Sequence, residues 1–396
     1  MKKFKIVIVG GGFAGLQAAR SLRRLRNADM SLIDRTGIAT MVPALPDTLS
    51  GRLPSEKLFR PLPELAGRNL GVILDTVESV SLAHRTVTCT DGTYAYDGLV
   101  LAGGSVPVAV PPPFEGPVHS VDSLEGAGAL RAEIEARVGR DPLHLVVAGA
   151  GYTGLEVAAA ARRGVPDPKA LAITVVDTAQ DILPMLTDRQ RSAVRAYLEK
   201  SSITLCTSTS VRRTTGNVVE LSNGATIGNA LFVWSAGMRA APIELDEQVE
   251  RTPDGRIVTT DPLALPGHPE VFVAGDQAAL TRDDRVLRRA VNFAFYSGRR
   301  AGKNLAGHLC DRRPKPFVPV DLGWVLPLIE TSAGRIFGGL RIGGRLGLRL
   351  HYLMCGFRHF GGRRAGTFYR AALNLRRTPA PLSSAAPPGG RHGNRS

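Results

Sequence analysis

Short apolar runs recur along this chain, each stopping abruptly at a glycine. Ile6-Val7-Ile8-Val9 ends at Gly10, Val146-Val147-Ala148 at Gly149, and Val271-Phe272-Val273-Ala274 at Gly275. β-branched residues without polar alternation suit strands buried on both faces of a parallel sheet. After the first two runs come LQAARSLRRL and LEVAAAARR, whose apolar residues fall at helical spacing. Arg162 and Arg163 lie on the second of these helices and are expected on its solvated face. Further strands are predicted in MSLIDR, YDGLVLAGGS and LAITVVD. The pattern predicts an α/β chain built on parallel sheets.

The glycines carry the first chemistry. Gly10, Gly12 and Gly15 are spaced as GxGxxG between strand and helix. The first makes the tight turn, the second lets the backbone approach a pyrophosphate, and the third lets helix pack on strand. The N–H groups at the helix start then face the phosphates. The next strand ends in Asp34, 19 positions after Gly15, where a carboxylate can accept hydrogen bonds from a ribose. Gly149, Gly151, Gly154 and Asp177 repeat the whole arrangement. An acid at Asp177 favours the free 2′-hydroxyl of NAD over the phosphate of NADP. Two Rossmann-like units, and so two dinucleotides, are predicted.

Charge changes the picture at the C-terminus. The net charge is +15, and after Glu330 there are twelve arginines and no acid. Arg341, Arg345 and Arg349 recur every four residues and predict one helical stripe, with Leu346, Leu350, Leu353 and Phe357 as its apolar companion, although Gly343, Gly344 and Gly347 weaken that helix. A basic amphipathic segment of this kind suits lying on an anionic membrane surface rather than spanning it. No nucleic-acid motif accompanies it, so no specific nucleic acid is expected. The end of the chain, residues 377–396, is rich in proline and serine and predicts disorder.

Cys89, Cys206, Cys310 and Cys355 are scattered without a CxxC or CxxxxC pair, which argues against zinc or a disulfide framework and fits a cytoplasmic setting. No run reaches the ~18 uncharged apolar residues of a membrane span. The apolar run after the N-terminal lysines is also shorter than the roughly 7–15 residues of a secretory signal.

Two further segments carry a resemblance. EVFVAGDQAAL, with Gly275-Asp276, resembles the late FAD motif of flavin disulfide reductase-like chains, where the Asp contacts the ribityl or pyrophosphate region. YDGLVLAGGS resembles their link between FAD and NAD domains, with Ala102-Gly103-Gly104 in place of Ala-Thr-Gly. The resemblance implies FAD in the first unit, NADH in the second, and hydride transfer between them. TMVPALPDTLSGRLP holds no cysteine where disulfide reductases carry CxxxxC. That stretch instead resembles type II NADH dehydrogenases, single-subunit NADH:quinone oxidoreductases of the membrane surface, through Pro43, Leu45, Pro46, Gly51 and Arg60. The likeness runs from about Phe4 to Leu350.

On that resemblance Glu156, two residues after Gly154, is the candidate catalytic group, implicated in quinone protonation. The FAD contacts expected are Gly10, Gly12, Phe13, Ala14, Gly15, Asp34, Arg35, Pro43, Val77, Ala102, Gly103, Gly275 and Asp276. Those for NAD are Gly149, Gly151, Tyr152, Gly154, Asp177 and Gly237. Asn292, Tyr296 and Ser297 stand where the family's quinone-channel glutamines would be, Phe293 and Phe295 suit an apolar slot beside them, and Asn292, Phe293 and Tyr296 are the expected acceptor pocket. The expected layout is FAD domain 1–110 and 241–320, inserted NAD domain 111–240, membrane-surface segment 321–376 and tail 377–396, peripheral on the inner face of the cell membrane. Alternatives are a sulfide:quinone reductase-like or other NAD(P)H:acceptor flavoprotein, and an apoptosis-inducing-factor-like protein whose tail recruits a partner. The sequence does not indicate an oligomeric state.

Overall fold

The computed structural model describes residues 3–25, 27–67, 70–111 and 113–372. Phe4–Val9 runs near the centre of a six-stranded sheet. Ala28–Asp34 and then Leu70–Leu74 lie parallel on one side, Gly98–Leu101 and then His268–Val273 on the other. Ala264–Leu265 closes that edge antiparallel. Ile6, Val7, Ile8 and Val9 are all buried, as a strand covered on both faces requires. Over the sheet lie the first fingerprint helix, Phe13–Leu22, and a return helix, Val291–His308. They touch backbone to backbone: a Cβ on Gly298 would lie 2.1 Å from the Ala14 carbonyl oxygen, and one on Gly302 2.4 Å from that of Ala18.

The second unit repeats the first on a smaller scale. Leu143–Ala148 pairs parallel with Leu171–Val176 and Ala230–Trp234, and Ile203–Cys206 and Val118–His119 extend the two sides. The second fingerprint helix is Tyr152–Gly164. Where the chain leaves the first unit and where it returns, Ser105–Pro107 and Met238–Ala240 pair antiparallel as a two-stranded neck.

The segment after Asp321 begins as sheet and ends as helix. Gly323–Leu328, Thr331–Ile336 and Leu340–Gly343 form an antiparallel sheet, followed by a C-terminal helix Gly344–Phe360 and a shorter one Gly362–Ala372. Arg341 therefore lies in a strand, not on a helical stripe with Arg345 and Arg349. The glycines around it turn the chain into a hairpin before the helix starts. Leu348, Tyr352, Cys355 and His359 bury one helix face, whereas Leu346, Leu353 and Phe357 remain 67%, 44% and 58% exposed. Arg162 is also corrected: it is buried, because its guanidinium donates to the Val165 and Leu171 carbonyls that follow its helix. Arg358, counted with the basic tail, is buried as well. The 377–396 tail lies outside the described residues, as do Arg376 and the side chains of Arg363 and Arg364.

Candidate cofactor and electron-transfer site

Each glycine in the two fingerprints meets a different environment, and the pattern is the same in both. Gly10 and Gly149 have φ of +92° and +110°, and a Cβ on either would lie 2.4 Å from a carbonyl oxygen, of Ala102 or Ser235. Gly15 and Gly154 pack so closely that a Cβ would fall 1.8 and 1.9 Å from the oxygens of Gly10 and Gly149. Those four are glycine because the fold demands it. Gly12 and Gly151 differ. Their φ of −74° and −75° suits any residue, and a Cβ there would meet nothing within 4 Å. The protein itself does not need these two glycines. Open space beside an unhindered helix N-terminus is what a pyrophosphate requires.

The carboxylates repeat too. Asp34 accepts from the Gly11 N–H at 2.8 Å and from Thr36, and Asp177 accepts from the Ala150 N–H at 2.6 Å and the Ala179 N–H at 2.8 Å. Each acid thus braces its glycine turn while facing the same hollow. That hollow is one cavity of about 1660 Å³ joining both fingerprints, well above the roughly 300–1,000 Å³ of a single small-ligand site. Of the expected FAD contacts all line it except Gly15 and Val77; of the expected NAD contacts all do except Gly154. Gly15 and Gly154 act from behind the wall, through the packing just described. Thr76, the neighbour of Val77, does line it.

Asp276 stands on the wall in a short turn after His268–Val273, and its carboxylate accepts from the Ser105 hydroxyl at 2.8 Å. Gln277 fastens this turn to the neck, accepting from the Gly103 N–H and donating to the Ala241 carbonyl, both at 2.9 Å. Ser105 and Gln277 carried no sequence signal beyond their nearness to glycine turns.

Glu156 sits in the second turn of the second fingerprint helix and lines the cavity. Burial, and secondarily the nearby Asp47 carboxylate, hold its carboxyl well above the usual carboxylate range. Asp47 belongs to a buried group the sequence did not reveal: Tyr352, from the C-terminal helix, donates to it at 2.7 Å, and Arg52 pairs with it. The acid in the apolar stretch PALPDTL was the available hint; its partner stands 305 positions away.

Asn292, Phe293 and Tyr296 are not on the cavity wall, although Val291 and Ala294 are. Asn292 is buried and donates to the Val320 carbonyl at 3.0 Å, and Phe293 is buried under the Arg288 guanidinium. Tyr296 is partly exposed, with Arg358 5.8 Å over its ring. Cys89, Cys206, Cys310 and Cys355 are free thiols on separate parts of the fold, and none lines the cavity.

Residues 4–297 match the model of the pyridine nucleotide-disulphide oxidoreductase family. The chain is 30% identical over 386 residues to the type II NADH:quinone oxidoreductase Ndh of Mycobacterium tuberculosis, covering 87% of this chain and 81% of that one. It is 25% identical over 371 residues to the type II NADH:quinone oxidoreductase of Staphylococcus haemolyticus, covering 84% and 90%. Among solved structures, NDH2 from Plasmodium falciparum in complex with NADH superposes with a TM-score of 0.81 at 13% identity, covering 96% of this chain and all of that one.

Proposed function

The chain belongs to the pyridine nucleotide-disulphide oxidoreductase family and, within it, to the type II NADH:quinone oxidoreductases, and on that footing we propose how its residues divide the work. The enzyme is an FAD-dependent NADH dehydrogenase with quinone as acceptor. FAD supplies the two-electron carrier between nicotinamide and quinone. In balance, NADH, one proton and quinone become NAD⁺ and quinol.

The observation that carries the cofactor assignment is the open space at Gly12 and Gly151, in one shared cavity. FAD belongs to the first fingerprint, because the first sheet brings Gly275 and Asp276 to the same wall as Gly10, Gly12 and Ala14. Asp34 receives its ribose at one end, and Asp276 lies toward the other. NADH belongs to the second fingerprint, with Asp177 placed to hold its ribose and Glu156 on the wall of the same cavity.

Glu156 delivers a proton on the acceptor side. The raised proton affinity of its carboxyl and its place on the wall support this role. Of the three acceptor-pocket candidates, partial exposure favours Tyr296; Asn292 and Phe293 serve as scaffold. The exposed Leu346, Leu353 and Phe357, with Arg345 and Arg349 exposed on the same helix, form the membrane-facing surface. No helix among the described residues is long and apolar enough to cross a membrane, so we place attachment at the surface, on the inner face of the cell membrane.

Stopped-flow resolution of the two half-reactions tests the role of Glu156. Glu156→Gln should leave flavin reduction by NADH within a few fold and slow reoxidation by quinone more. Equal slowing of both steps, or no change in either, removes Glu156 from proton delivery.

A further inference from the structure

Neither fingerprint explains one cation on the cavity wall. Arg288 and Arg289 directly precede Ala290, the cap of the return helix Val291–His308. A helix N-terminus already carries roughly half a positive charge, and its first turn here holds no acid. Two arginines at such a place need anions. Arg288 has one: it bonds Asp321 at 2.6 and 2.8 Å and the Gly323 carbonyl at 2.9 Å. Arg289 is only partly matched. Its Nη1 reaches Asp254 at 2.9 Å, but its Nε and Nη2 are buried without a hydrogen-bond partner. Leaving a buried donor unmet is costly, the more so on a charged group. Arg289 lines the cavity together with Asp276 and Ala290, so an acceptor entering the cavity is the natural complement.

Helix register shows where along the cavity that acceptor lies. Gly298 packs on Ala14 and Gly302 on Ala18, so the two helices run parallel. Phe13 starts its helix one residue before Ala14, whereas Val291 starts seven before Gly298. The six-residue difference carries the return helix about 9 Å past the phosphate-binding turn, at 1.5 Å per residue. The sheet order sets the direction across the strands. Asp34, at the ribose, ends a strand on one side of Phe4–Val9, and Gly275 follows a strand on the other. Arg289 is therefore beyond the pyrophosphate, on the side away from the adenosine ribose.

Resting on the FAD assignment above, we propose that Arg289 donates to the pyrimidine end of the flavin ring and raises its reduction potential by stabilising the negative charge of the reduced form. Two electrons and one proton leave reduced flavin with one negative charge, spread over that end of the ring. The oxidised ring is neutral. A fixed cation there stabilises one redox state over the other, which is differential electrostatic stabilisation. Asp254, which Arg256 also pairs with at 2.9 Å, opposes it, neutralising part of Arg289 while holding it in place.

Redox titration of the purified holoprotein against reference dyes, with flavin content measured in parallel, tests this role. Arg289→Gln should lower the two-electron reduction equilibrium at least tenfold, about 30 mV for such a couple. Arg289→Lys should stay within about threefold of the native protein, and Asp254→Asn should move the equilibrium upward. A flavin-replete Arg289→Gln protein with unchanged potential overturns the proposal, as does a downward shift in Asp254→Asn. If Arg289→Gln does not retain FAD, Asp254→Asn decides alone: an upward shift supports the proposal, and an unchanged or lowered potential overturns it. A native protein without FAD would instead refute the cofactor assignment itself.

Discussion

Replacing Gly151 by alanine should separate folding from coenzyme binding. The backbone there is extended at φ −75°, and a Cβ would meet nothing within 4 Å. Glycine-to-alanine changes at compatible positions stabilise by about 0.4–1 kcal/mol, through the unfolded chain. Gly151→Ala should therefore melt no lower than the native protein and keep its FAD. Gly154→Ala should behave oppositely, since its Cβ would fall 1.9 Å from the Gly149 oxygen. Overpacking of that kind costs typically about 1–3 kcal/mol and sometimes more. The methyl at Gly151 occupies the space through which a pyrophosphate reaches the helix N–H groups. Losing one hydrogen bond to a charged group costs about 1.5–3 kcal/mol, a roughly ten- to hundredfold weaker dissociation constant. Calorimetric titration with NAD⁺, paired with denaturant unfolding of all three proteins, reads both quantities. Unchanged NAD⁺ affinity, or a Gly151→Ala protein as unstable as Gly154→Ala, would refute the reasoning.

Other consequences are equally open to measurement. Asp177 should favour NADH over NADPH by at least tenfold in kcat/KM, about 1.4 kcal/mol, and Asp177→Ser should narrow that ratio; a native preference for NADPH contradicts the ribose assignment. Replacing Arg345 and Arg349 together by Gln should weaken binding to anionic vesicles roughly thirtyfold, at about 1 kcal/mol each, with native binding falling as salt rises; unchanged binding removes this helix from the membrane contact. Burial lowers His351 to about 4 and His359 to about 3. Because the unfolded chain then binds more protons, stability should be complete above about pH 6.5 and fall as pH drops toward those values. Unfolding midpoints across that range should show the loss, and His359→Phe should flatten it if the ring packed 4.1 Å from Phe13 is a source.

Strand, glycine turn and acid were legible because they depend on residues close together in the chain. Gly10 to Asp34 and Gly149 to Asp177 each complete a unit within one βαβ turn of sequence. What was not legible depends on distant meetings. Tyr352 reaches Asp47 from 305 positions along the chain, and Arg289 gains meaning only from the parallel register of two helices far apart in sequence. Arg162 looked like a surface residue until the carbonyls after its helix were in place. The four-residue arginine repeat read as a helix because periodicity alone cannot register a glycine-rich hairpin, and Arg341 fell in that hairpin. Helical position drew attention to Asn292, but its bond to the carbonyl of Val320, 28 positions on, could not be read from the sequence.

Anaerobic spectroscopy of the purified protein measures directly whether NADH reduces a bound flavin whose electrons then leave to a quinone. Addition of NADH should bleach the visible flavin absorbance stoichiometrically, and a short-chain quinone should then restore it faster than dissolved oxygen does. A protein that purifies without flavin, or a flavin that NADH leaves oxidised or quinone leaves reduced, would contradict this electron path.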